Sequence, residues 1–168
     1  MVVFNYSSNV SVDKVSEDLI LIKVQRIDTH QELYMTINIS YPDCIIKKIN
    51  VEYLRCPGGD CPQAAGTLQT LVGKSLSHGI SKELKKSVIS KDGCMHLGEM
   101  VMDAARSLVQ AKFTLRVIEL DYDESAMQQE LQYTLKDTCL KAREEKVSTL
   151  QPLIMVTQLC AQELHVLQ

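Results

Sequence analysis

Cysteine and histidine are the residues of this 168-residue chain best suited to chemistry, and of its six cysteines and four histidines two stretches hold the most suggestive. In Lys91-Asp92-Gly93-Cys94-Met95-His96-Leu97 a thiol and an imidazole stand two residues apart, and Cys56 and Cys61 flank Pro57-Gly58-Gly59-Asp60. Asp92-Gly93 is a turn signal, and Leu97, Val101, Ala104, Leu108 and Ala111 follow at helical spacing, so Cys94 and His96 open a helix. Pro62 suits the first position of a helix, which puts Cys61 at a second helix start. Helix N-termini offer unpaired N–H groups and the positive end of the dipole. Such surroundings favour the thiolate, the form of cysteine that binds metals or attacks electrophiles. Residues two apart do not share a helical face, so Cys94 and His96 converge only where the first turn is irregular.

His30 precedes a strand that leads toward the same end of the sheet as Cys61. The candidate site is therefore His30, Cys61, Cys94 and His96, with Cys56 as a substitute ligand. Two thiolates and two imidazoles suit Zn²⁺ or an iron–sulfur cluster with mixed ligands. Cys44, Cys139 and Cys160 lie within apolar patterns and read as small hydrophobes, while His78 and His165 read as solvent-facing. A thiol-dependent enzyme with Cys94 as nucleophile and His96 as base is the weakest reading, because no third group is apparent to orient the histidine. No Ser-His-Asp order, glycine-rich phosphate loop or paired catalytic carboxylates stand out, so an enzyme is the less favoured expectation.

The elements that must position these residues follow from hydrophobic periodicity. Residues 2–6 predict a short edge strand and Ser7-Ser8-Asn9 a turn. Residues 19–27 are rich in β-formers. Leu33, Met35, Ile37 and Ile39 alternate with Tyr34, Thr36 and Asn38, and Ile49, Val51 and Tyr53 alternate with Lys48, Asn50 and Glu52. Tyr41-Pro42-Asp43 joins the last two strands, so an antiparallel meander is expected. A helix from Pro62 ends at Gly73, and Ile80, Leu84 and Val88 mark another. Residues 113–120 read as a strand or extended connection. Ser125 with Gln128, and Ser148 with Gln151, resemble capping boxes of two further helices. The expected fold is α+β: an antiparallel sheet of three to five strands followed by helices on one face, with a core domain of residues 1–115 and a C-terminal helical hairpin in 116–168.

The net charge of -3 gives no support for nucleic-acid binding, and the basic residues Lys82, Lys85, Lys86 and Lys91 have no interleaved aromatics. No apolar run is long enough to cross a membrane, and the N-terminal Met1-Val2-Val3-Phe4 is too short for a signal segment, so a cytoplasmic protein with reduced thiols is expected. With no Trp and two Phe, aliphatic and Met side chains must fill the core. The last helix is apolar around much of its circumference, from Leu153 to Leu167, and predicts a homo-oligomer formed through the C-terminal helices. A metal or cluster site also implies a donor protein as partner. The alternative to metal binding is a metal-free interaction module.

Cys61-Pro62-Gln63-Ala64-Ala65, Leu71-Val72-Gly73 and Gly93-Cys94-Met95-His96-Leu97 resemble, in order and separation, motifs of a bacterial domain of unknown function, numbered 2889, over roughly residues 28–112. His30 falls near a histidine of that family. More distantly, Gly73-Lys74-Ser75-Leu76, Lys91, Cys94 and Asp103-Ala104 are similar to the U-type scaffold on which iron–sulfur clusters are assembled. That resemblance implies Cys94 as the last cluster ligand, Cys61 or Cys56 as the middle one, and His30 with Glu32 near the first. In the scaffold the histidine precedes the last cysteine; here it follows.

Overall fold

A computed structural model describes residues 1–58 and 61–135, which fall in two compact units, Met1–Leu115 and Arg116–Gln168. In the first unit four strands, β1 (Tyr6–Ser16), β2 (Leu19–Asp28), β3 (Glu32–Ser40) and β4 (Ile46–Arg55), form one antiparallel sheet in the order β1-β2-β3-β4. A 3₁₀ helix (Cys61–Leu71), α1 (Ile80–Lys86) and α2 (Met95–Glu119) follow, and then α3 (Glu124–Leu135). The fold is the expected α+β meander with helices after it.

Period-two alternation builds the core face. Ile20, Ile22 and Val24 of β2 and Leu33, Met35, Ile37 and Ile39 of β3 are fully buried, together with Leu68, Leu71, Leu84, Leu97, Val101, Ala104 and Leu108. In β4, Ile46 and Ile49 are both buried although three apart, which a regular strand cannot achieve. The register slips between Asn38 and Ile39, leaving Lys47 as an extra residue, and that bulge returns Ile46 to the core. Beyond it Val51 and Tyr53 keep the inward phase. A second slip at Leu54 sets Arg55 opposite Glu32 at the strand's end.

Four expectations need correction. Residues 2–5 form no strand, and the edge strand begins only at Tyr6. Ser7, Ser8 and Asn9 do not turn the chain. They belong to β1, paired with Ile27, Arg26 and Gln25. Of this edge strand only Val10 and Val12 pack on the core, Tyr6 and Val15 being exposed among polar residues, so its composition imitates a turn. The segment from Cys61 is a 3₁₀ helix rather than an α-helix. The hydroxyls of Thr67 and Thr70 donate to the carbonyls of Ala64 and Thr67, both at 2.7 Å, and the three-residue turn points Leu68 and Leu71 inward together. Residues 113–119 are neither strand nor connection, because α2 continues through them to Glu119.

After the 3₁₀ helix, Gly73 adopts φ 82, a left-handed conformation that suits glycine. Gly73 N–H donates to Ile46 O (2.8 Å), Ile46 N–H to Lys74 O (2.9 Å) and Leu76 N–H to Cys44 O (2.8 Å). Gly73-Lys74-Ser75-Leu76 thus covers the beginning of the β4 edge.

In the second unit, Asp123 caps α3, its Oδ1 accepting from Ala126 N–H (2.8 Å) and from the Ser125 hydroxyl (2.9 Å). Those bonds hold the Asp123 carboxyl below its ordinary range. The cap is therefore two residues earlier than Ser125. The helix expected from Ser148 lies outside the described residues, as do Cys139, Cys160 and His165.

Candidate thiol and imidazole site

Cys94 immediately precedes the first helical residue of α2. Its carbonyl accepts from Gly98 N–H (3.2 Å), an i to i+4 bond, while its own N–H donates to Val88 O (2.8 Å), outside the helix. It thus occupies the cap position, whose backbone is not bound to helical geometry, and its side chain can lean over the first turn. The Cys94 Sγ to His96 Nδ1 distance is 3.8 Å, a thiol–imidazole hydrogen bond. The objection that residues two apart face different ways is answered because only one of them is helical.

Gly93 makes this placement feasible. A Cβ at that position would stand 1.9 Å from Val88 O, so only glycine lets the turn close tightly enough to deliver Cys94 to Val88. One turn into α2, Gly98 gives the Ile89 side chain room in the same way, a Cβ there meeting Ile89 Cγ1 at 2.5 Å.

The other two cysteines come from the end of β4. Cys56 Sγ donates to Gly58 O (3.3 Å), and Cys61 N–H donates to that same carbonyl (3.3 Å), so one acceptor holds the Cys56 thiol and the Cys61 backbone together. Cys56, Cys61 and Cys94 are all half-buried and unbridged. Tyr53 lies on β4, three residues before Cys56. Its hydroxyl is buried without a hydrogen-bond partner among the described residues. Burial pushes the phenol up to about 12, and the neighbouring thiols of Cys94, Cys61 and Cys56, in that order of strength, add to the effect by repulsion. Tyr53 therefore remains a protonated donor throughout the physiological range.

His30 belongs to a different constellation. It is exposed in the β2–β3 turn, its N–H donating to Asp28 Oδ1 (2.8 Å) and its ring 6.5 Å from that of Phe4. Asp28 also accepts from Gln31 N–H (2.9 Å) and from the Gln31 amide (2.9 Å). Burial works against ionisation of Asp28, but the bonds from Gln31 and His30, with the Arg26 charge, hold its carboxyl down at about 2. Arg26 Nε stands 3.5 Å from Asp28 Oδ2, its Nη1 is 2.6 Å from Glu99 of α2, and its guanidinium lies over the Tyr6 ring at 4.5 Å. Arg26, Asp28 and Gln31 are each about 5% exposed.

Register connects the two groups. Ser8, Arg26, Leu33 and Tyr53 form one cross-strand row on the core face. The start of α2 crosses that row: Glu99 meets Arg26 on β2 and Asp103 Oδ2 accepts from Ser8 Oγ on β1 (2.9 Å), while Cys94 and Tyr53 pack on the same core cluster. Sequence reasoning missed Tyr53, Arg26, Asp28, Gln31 and Glu99. The signal for Arg26 and Asp28 was present, since both continue the inward parity of Ile20, Ile22 and Val24.

Of the five residues predicted to form the site, then, Cys94 and His96 are joined directly, Cys56 and Cys61 share the Gly58 carbonyl, and His30 faces solvent. Among the described residues no three His, Cys, Asp or Glu side chains are grouped so as to hold a metal ion. The His96 ring has no described hydrogen-bond partner besides Cys94. Cys44 is buried core filler, 1% exposed, as its apolar setting suggested, and His78 is exposed.

Fold and site define an α+β domain in which a four-stranded meander is followed by a long helix that opens on a hydrogen-bonded cysteine and histidine. The chain belongs to the family described as Protein of unknown function (DUF2889), whose model matches residues 12–110. The match starts inside β1, earlier than the motifs alone implied, and extends into α2. No curated protein and no solved structure matches the chain. No described helix is long and apolar enough to cross a membrane.

Proposed function

We propose that this protein binds a zinc ion through Cys94, His96 and Cys61, with Cys56 as the fourth ligand, and serves to hold or hand on that metal. The observation that carries the reading is the Cys94 thiol hydrogen-bonded to the His96 imidazole at the start of α2, with the Cys56 thiol and the Cys61 backbone held on one carbonyl after β4. Three thiolates and one imidazole are a common tetrahedral zinc set, and the same donors suit an iron–sulfur species. His30, first expected among the ligands, is left out because its surroundings are those of the Asp28 turn. Since no complete group is assembled among the described residues, binding must draw the Cys56–Cys61 segment in toward Cys94 and His96. Such a movement couples metal affinity to local folding.

The test is elemental analysis with an absorption spectrum on protein purified without oxygen, comparing wild type with a Cys61→Ala, Cys94→Ala double variant. About one zinc per chain in the wild type, lost in the variant, is the expected result. A visible iron–sulfur band would keep the ligands and change the cargo. Metal absent from both preparations would refute the proposal.

A second reading, resting on the apolar sequence from Leu153 to Leu167, concerns partners. We propose that this segment joins copies of the chain.

A further inference from the structure

The two edges of the sheet differ in how the chain covers them. At β4, Gly73 N–H and Lys74 O pair with Ile46, and the Gln69 amide donates to Ile49 O (3.0 Å). At β1, which ends the strand order, no backbone among the described residues pairs with the outer edge. In an antiparallel pair alternate residues turn N–H and C=O toward the partner, so every second residue of β1 turns its own away from β2. A row of such groups is a template for another strand.

β1 carries few of the devices that keep an edge from pairing. It has no proline, and its stretch from Ser7 to Val12 has no charge. Its register with β2 runs unbroken from Tyr6 to Lys14 and slips only between Lys14 and Ser16, so the bulge at Val15 closes a regular edge. Both ends of that edge are apolar and bare. Met1, Val2, Val3 and Phe4 ahead of it and Val15 behind it are each more than half exposed. Single exposed apolar side chains are ordinary, but these flank one open edge.

We infer that β1 is an interaction edge for a second copy of this chain, which adds its own β1 antiparallel about a two-fold axis at Val10. The inference is independent of the zinc reading and of the association proposed for the segment from Leu153 to Leu167. Antiparallel order brings the apolar start of each copy beside Val15 of the other, which explains why both ends of the edge are apolar. A two-fold axis normal to the sheet preserves its faces, so inward residues meet inward ones. With Val10 on the axis the whole regular edge from Tyr6 to Lys14 pairs, whereas an axis at Asn9 or Ser11 leaves two residues of each edge unpaired. Asp13 and Lys14, the charged residues of that edge, then lie opposite Ser7 and Tyr6, and no like charges oppose. Val10 and Val12, half-buried in one copy, gain cover from the other.

Hydrogen exchange on the full chain at two concentrations reads the edge directly. Alternate amides between Tyr6 and Lys14 should exchange at least about 10-fold more slowly in concentrated protein than in dilute protein. Asn9 and Ser11 are exposed, face away from the core and lie opposite each other across the axis, so Asn9→Lys with Ser11→Lys sets like charges together twice. Light scattering should give this variant half the wild-type mass, and the same for Asn9→Asp with Ser11→Asp. An equal mixture of the two variants should regain the wild-type mass, a rescue that a folding defect would not show. Exchange of β1 amides that is unchanged by dilution would overturn the inference. Wild-type mass in both variants would also overturn it, leaving any association to residues 148–168, and so would a mixture that stays at half mass.

Discussion

Two polar groups sit on one cross-strand row beneath the start of α2, and they are finished to different degrees. Around Arg26 each charge has a counterpart, Glu99 and Asp28 for the guanidinium and Gln31 with the turn N–H groups for Asp28, although Arg26 Nε itself makes no hydrogen bond. Around Tyr53, the phenol has no partner, and the thiols have weak ones. Ion pairing marks a group that fixes structure, because a buried charge is tolerable only when paired. The Tyr53 hydroxyl has no such pairing, and a buried polar group without a partner is unfavourable. The Arg26 cluster ties α2 to the sheet through Glu99.

Substitutions in the two groups should therefore behave differently. The largest loss of stability is expected from Arg26→Ala, which leaves Asp28 buried without its counter-charge and should reduce unfolding free energy by about 3–5 kcal/mol in denaturant titrations. A loss within the range of a surface pair, below about 1 kcal/mol, would make the cluster incidental. Gly93→Ala should come next, at about 1–3 kcal/mol, because the new methyl group meets the Val88 carbonyl and the turn must open. It should also weaken metal binding by displacing Cys94. Unchanged stability would show that the turn is not tightly closed.

The Arg26 cluster also has a pH signature. The folded value of Asp28, about 2, lies below its ordinary 3.8, so the ionised carboxylate favours folding at all pH above about 4. That contribution is lost as pH falls through this window toward 2. Asp28→Asn should be less stable at neutral pH and show a flatter decline in melting temperature below pH 4; a parallel decline in both proteins would assign the acid sensitivity elsewhere. The smallest effect on the domain itself is expected from deleting residues 148–168. Light scattering should then report a smaller species with the metal content unchanged, whereas an unchanged mass would refute self-association through this segment.

Much of this fold is legible in the chain. β2 and β3 alternate without interruption, and from Leu97 to Leu108 the inward positions keep helical spacing, so burial and pattern coincide. β1 is hidden because an edge strand buries little and its serines and asparagine resemble a turn; backbone pairing with β2, a tertiary effect, decides the outcome. The stretch of residues 113–119 misleads because Phe113, Leu115 and Val117 alternate with Thr114 and Arg116, although Leu115 also lies one heptad after Leu108 and continues its helical face. The site was half legible. Cys94 and His96 announce themselves by spacing and by the Gly93 turn, and Cys61 by its helix start. Tyr53 does not, since an inward tyrosine in a strand looks like ordinary core until the absence of its partner is seen. His30 was grouped by chain position with the cysteines, yet the hydrogen bonds of the Asp28 turn hold its backbone in another cluster.

The claim that ties these observations together is that the cysteine corner is completed by a metal ion. X-ray absorption at the zinc edge, on protein purified without oxygen and loaded with one equivalent of Zn²⁺, reads the ligand set itself. A shell dominated by sulfur at about 2.3 Å with nitrogen at about 2.0 Å is the predicted result. A shell of oxygen and nitrogen alone would contradict it and leave Cys56, Cys61 and Cys94 as thiols without a metal.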